Sequence, residues 1–161
     1  MKDSPVEAAH VKNRYTIFLI ILVPVIVLDQ WTKFYINSFM SLHDSFPVIK
    51  GLFNITYVRN PGAAFGFLSS ASPTLRSIFF ISVTVIAIVL ILYFIAKSRK
   101  EGLLLTVSLS LILSGAVGNL IDRVRFGEVI DFLDVYVGSY HWPAFNVADS
   151  AISIGAVILL L

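Results

Sequence analysis

Four apolar runs divide this chain, separated by two longer mixed connections and one short charged turn. The runs cover about residues 15–36, 75–96, 103–121 and 146–161. A helix needs about 20 mostly apolar residues to cross a bilayer. The first three runs therefore predict spanning helices, and the fourth predicts a helix that is short for a span. Pro24 falls inside the first run and, having no backbone N–H, predicts a kink there. The third run carries Ser114-Gly-Ala-Val-Gly118, whose small residues allow another helix to approach closely. With four spans, the connections at about 37–74 and 122–145 lie on the same side of the membrane. Lys12 and Arg14 ahead of an apolar core also suit a signal peptide, but no small-x-small cleavage site follows, and Asp29 and Lys33 do.

The first connection has a different rhythm. Phe46-Pro-Val-Ile49 and Leu52-Phe-Asn-Ile-Thr-Tyr-Val58 are rich in β-branched and aromatic residues and flank Lys50-Gly51, a pattern that predicts a short hairpin. Asn60-Pro-Gly-Ala-Ala-Phe-Gly66 follows, a turn-rich segment that lets backbone come close to a ligand. The expected fold class is an all-α polytopic membrane protein, four transmembrane helices with a small β-hairpin element. All 161 residues form a single membrane-embedded domain in this reading.

Composition supports that class. Hydrophobic residues make up 57% of the chain and mean hydropathy is +0.87, above the roughly 45–50% apolar content of soluble domains. The net charge is +2 and the pI about 9.0. Lys and Arg flank the apolar runs, so the basic balance speaks for membrane-facing loops and not for nucleic acid. Six basic residues (Lys2, Lys12, Arg14, Lys97, Arg99 and Lys100) fall at the N-terminus and in the turn Lys97-Ser-Arg-Lys-Glu101. Six more lie on the other side, less densely, which favours cytoplasmic termini. There is no cysteine, which excludes disulfides, thiol nucleophiles and thiolate metal sites. His10, His43 and His141 are scattered and form no metal-binding spacing, so no metal and no other cofactor is expected.

Against this apolar background, two aspartates stand out. Asp131 lies in Glu128-Val-Ile-Asp-Phe-Leu-Asp134, and Asp149 lies where the last run begins. An ionised carboxylate at the centre of a bilayer helix costs about 2.5–3.5 kcal/mol on insertion scales. Two carboxyls brought together can share a proton and activate water. The bland alternative is that each caps a helix or pairs with an arginine, and Asp149 in particular could act as a cap of the last helix. Asn119, Asp122 and Arg123 close the third run, either as a polar helix end or as groups that organise the acid pair. Asp29 and Lys33 sit four apart, a spacing that supports an ion pair anchoring the first helix.

These residues fall into motifs. Asp29-Gln-Trp-Thr-Lys33, Asn60-Pro-Gly-Ala-Ala-Phe-Gly66, Gly118-Asn-Leu-Ile-Asp-Arg123, Val129-Ile-Asp-Phe132 and Phe145-Asn-Val-Ala-Asp-Ser-Ala-Ile152 together resemble the lipoprotein signal peptidase, or signal peptidase II, family. The resemblance implies an aspartyl endopeptidase of the bacterial inner membrane, multi-pass, with a small periplasmic β-element or cradle and the active site near the outer face. It implies cleavage of prolipoproteins just before a cysteine already carrying diacylglycerol, no cofactor, and inhibition by globomycin. By motif match, Asp131 and Asp149 are the expected catalytic pair. Asn60, Gly62, Asn119, Arg123 and Asn146 are expected to line the site, and Asp29, Lys33 and Asp122 to support it. Membrane lipids and the prolipoprotein are the expected partners of a monomeric enzyme. The family usually continues past its last helix into a basic tail, whereas this sequence stops at Leu161. A small transporter or channel would also carry intramembrane acids, but with polar residues near mid-span. A non-enzymatic scaffold would tolerate Asp→Asn at both positions.

Overall fold

A computed structural model describes residues 5–62, 70–97 and 102–161, with the side chains of the first helix from residue 14 onward. The elements run α1 (Pro5–Phe39), β1 (Ser45–Ile49), β2 (Phe53–Asn60), α2 (Pro73–Lys97), α3 (Leu103–Phe126), β3 (Val129–Val137), β4 (Tyr140–His141) and α4 (Val147–Leu160). Three helical segments, Arg14–Phe39, Pro73–Lys97 and Leu103–Phe126, are long and apolar enough to cross a membrane. The fourteen residues of α4, at about 1.5 Å rise each, fall short of a hydrocarbon core about 30 Å thick. Helix α1 runs unbroken through Pro24. The expected turn at 98–101 and residues 63–66 of the turn-rich motif lie outside the described residues.

Helix α3 is the hub and packs against α1, α2 and α4. Its seam with α4 depends on glycine. A Cβ on Gly115 would collide with the Ala148 carbonyl, and one on Gly155 would lie 2.8 Å from the Ser108 carbonyl oxygen. Ser108 closes the seam by donating its hydroxyl to the Gly155 carbonyl at 2.7 Å. Away from the polar end, Ile95, Leu109 and Leu113 form an apolar core joined by Phe18, Leu22, Ile88 and Ile91.

The third helix is longer than its apolar run suggested. It continues to Phe126 and stops at Gly127, whose φ of 77° is left-handed and whose N–H donates to the Arg123 carbonyl. Asp122 and Arg123 therefore ride on the last turns of a helix and not in a loop. The hairpin is also larger than expected. Strands β1 and β2 form it, but β3 and β4 extend it into a four-stranded antiparallel sheet ordered β1-β2-β3-β4. Val-Ile-Asp-Phe-Leu-Asp-Val-Tyr-Val is as rich in strand formers as β2, and it pairs Asp131 with Val58 and Leu133 with Ile55. Ile36, Tyr57, Ile130 and Phe132 form a second core that fastens the sheet to the end of α1, with Val147 packed against it at the start of α4.

Candidate active site

The sheet, the last turns of α3 and the start of α4 bring the sequence-predicted residues together. Asn146 is the N-cap of α4: its Oδ1 accepts the Asp149 N–H at 2.8 Å, while Asp149 Oδ2 accepts the Asn146 N–H at 3.3 Å. This reciprocal box satisfies two backbone donors that a helix start would otherwise leave unpaired. Asp149 is therefore a capping residue, as the bland reading held. Its other oxygen, Oδ1, accepts from Asn119 Nδ2 at 2.7 Å.

Asp131 projects from β3 and is 1% exposed. Its two oxygens accept from Asn146 Nδ2 at 2.7 Å and Asn60 Nδ2 at 2.9 Å. Burial pushes the Asp131 carboxyl up to about 7; Asp149 adds to the rise, while the Asn60 and Asn146 amides and Lys33 oppose it. Asn146 thus touches both acids, with its amide on one and its backbone on the other. Asn60 is held in turn by the Gly62 N–H, which donates to its Oδ1 at 2.8 Å. Gly62 has φ +90°, and a Cβ there would strike the Phe80 ring. Only glycine fits.

Behind the acids lies a buried ionic cluster. Lys33 is 1% exposed. It contacts Asp29 at 2.9 Å, Asp122 at 3.0 Å and Asn119 Oδ1 at 2.9 Å. The expected i,i+4 pair is present, and Asp122 joins it from α3. Both carboxylates also hold backbone: Asp29 accepts the Ala148 N–H at 2.9 Å and Asp122 the Ile130 N–H at 3.1 Å. Gln30 was missed by the sequence reasoning. Its Nε2 reaches Asp29, Asp122 and the Gly118 carbonyl, each at 3.1 Å. A polar residue inside an apolar helix, between Asp29 and Trp31, was the available signal.

Arg123 sits half-buried on the last turns of α3 with its guanidinium 5.5 Å from the Phe80 ring centre. It is within electrostatic reach of Asp149, Asp131 and Asp122. Beside Asp149 opens a cavity of about 350 Å³ lined by Trp142, Phe145, Ser150, Ser153 and Ile154. Among the described residues, no group of His, Asp and Glu side chains is placed to hold a metal.

A model of the signal peptidase (SPase) II family matches residues 21–161, which takes in every one of these side chains. The chain belongs to the signal peptidase II family. That family is an aspartic-type protease family, and this member is a hydrolase with membrane-spanning helices. It is 59% identical to the lipoprotein signal peptidase of Syntrophus aciditrophicus over 150 residues, covering 93% of each chain. It is 55% identical to that of Geobacter metallireducens, covering 93% of this chain and 91% of the relative. A solved bacterial membrane enzyme superposes with a TM-score of 0.79 at 41% identity, covering 89% of this chain and 84% of its own.

Proposed function

We propose that this signal peptidase II cuts diacylglyceryl-modified prolipoproteins just before the lipid-bearing cysteine, with Asp131 and Asp149 as the catalytic pair. The observation that carries the reading is Asn146, which is hydrogen-bonded to both carboxylates at the edge of an open cavity. The nearby Asp149 charge adds to the rise of the Asp131 carboxyl and so favours its protonated form. Asp131, the more deeply buried, is the acid of the pair, and Asp149, half-buried beside the cavity, is the base. Asp149 takes a proton from water as the water oxygen bonds to the scissile carbonyl carbon. Asp131 donates a hydrogen bond to the oxyanion that develops. The C–N bond then breaks as the amide nitrogen receives the proton that Asp149 took from water and leaves as an amine.

Arg123, Asn60 and the Gly62 backbone would hold the substrate chain extended across the pair, and the lipid arms would stay in the bilayer. The single domain sits in the bacterial inner membrane with α1, α2 and α3 as full crossings and α4 as a fourth, shorter one, both termini cytoplasmic and the aspartates near the outer face. Peptide inhibitors of the globomycin type would occupy the same cleft. The test is to give the purified protein in detergent a prolipoprotein with and without diacylglycerol on its cysteine. Mass spectrometry should find a new N-terminus at the modified cysteine alone. Cleavage at another bond, or equal cleavage of the unmodified protein, would overturn the assignment.

A further inference from the structure

Three asparagines meet the two acids, and each has its amide orientation fixed from the opposite end. An asparagine amide accepts only at its oxygen and donates only at its nitrogen. A partner that can do just one of these decides which way the amide faces. The Gly62 N–H fixes Asn60 and the Asp149 N–H fixes Asn146, and both then present Nδ2 to Asp131. The third lock is a side chain. Lys33 donates to Asn119 Oδ1, which leaves Asn119 Nδ2 for Asp149 Oδ1.

An ammonium has three protons and no acceptor. Asp29, Asp122 and Asn119 receive one each, so Lys33 is spent without touching Asp131 or Asp149. Tying α1 to α3 needs only the Asp122 contact. The additional bond to Asn119 joins the ionic cluster to the acid pair. Asn146 Nδ2 also donates to Asn119 Oδ1, at 3.2 Å. The Lys33 bond is the shorter and the charged one, and its loss weakens the hold on an amide whose oxygen, turned to Asp149, would set one acceptor against another.

We propose that Lys33 is a positioning residue for peptide hydrolysis: it holds Asn119 so that the amide nitrogen faces Asp149 and fixes the carboxylate that receives the proton of the attacking water. This rests on the reading of Asp131 and Asp149 as the catalytic pair.

A double-mutant cycle tests it. Turnover and KM are measured for wild type, Lys33→Met, Asn119→Ala and the double variant, each confirmed folded by its thermal transition in detergent. Loss of one charge-assisted hydrogen bond predicts that each single variant lowers kcat by about 10- to 100-fold, with KM nearly unchanged. If Lys33 acts through Asn119, the double variant turns over no more slowly than Asn119→Ala alone. Losses that multiply, or wild-type kcat in Lys33→Met, overturn the role. Lys33→Met strands two buried carboxylates, so it is also measured combined with Asp29→Asn and Asp122→Asn, with and without Asn119→Ala, where the proposal predicts equal kcat. There each asparagine still offers an oxygen to the Ala148 and Ile130 N–H groups. Asp149→Asn runs alongside: if it cuts normally, the catalytic pair is wrong, whereas an inactive Asp149→Asn with a multiplicative cycle removes only Lys33.

Discussion

The two flanks of α3 are held by opposite means. Toward α4 and the C-terminal part of α1, the helix presents Gly115, Gly118, Asn119 and Asp122, all buried, to glycine-close backbone and a partnered polar cluster. Toward α2 it presents leucines to a helix whose one buried residue is Ile95. Lipid tails are as apolar as leucine, so contacts of the second kind hardly distinguish a neighbouring helix from lipid. The first kind cannot be replaced by lipid, because every buried donor and acceptor there would lose its partner. The candidate site is thus built on the flank where geometry is dictated, and the permissive flank is left to α2.

That contrast is sharpest at Asn146, which both starts α4 and spans the two acids. Asn146→Ala removes the amide on Asp131 and the cap on α4 together, and should lower kcat by about 10²-fold or more, measured on protein that still shows a cooperative thermal transition. Proton release from Asp131 gives the next largest effect. With its carboxyl held up at about 7, kcat/KM should fall on a basic limb near that pH, by about tenfold per pH unit beyond it. The same shift has a stability signature. Between 3.8 and about 7 the folded protein keeps a proton that the unfolded chain releases, so Asp131 makes stability decline as pH rises through that window. Asp131→Asn should flatten the decline.

Packing variants compare the flanks directly. Gly155→Val drives a side chain into the Ser108 carbonyl and Ile112, and overpacking of this kind should cost about 1–3 kcal/mol in thermal or denaturant unfolding. Ile91→Ala, on the side of α2 packed against Leu109 and Leu113, should cost less than Gly155→Val, because lipid tails replace part of the lost contact. Equal effects at the two positions would remove the distinction between the flanks.

The helices were legible because hydropathy marks them: α2 matches its apolar run nearly residue for residue. The length of α3 was not, since its apolar run stops near residue 121 while the helix goes on to Phe126, where Asp122 is held by Lys33 and the Ile130 N–H across the fold. The hairpin at 45–60 was visible from strand formers around Lys50-Gly51. The third strand was passed over although 129–137 has the same composition, because its acids drew a chemical reading before a structural one. At the site, the motifs named side chains that the structure brings together, but the bond from Asn146 to Asp131 joins residues 15 apart in sequence and the bond from Lys33 to Asn119 residues 86 apart. No spacing rule foretells such contacts.

The most direct test of the central claim is the rate of prolipoprotein cleavage by Asp131→Asn and Asp149→Asn beside the wild type. Each substitution keeps size and hydrogen-bonding oxygen while removing the ionisable proton site. Loss of at least about 10²- to 10⁴-fold in kcat in both folded variants is the predicted result. Wild-type turnover in either one would contradict the aspartate pair as the catalytic centre.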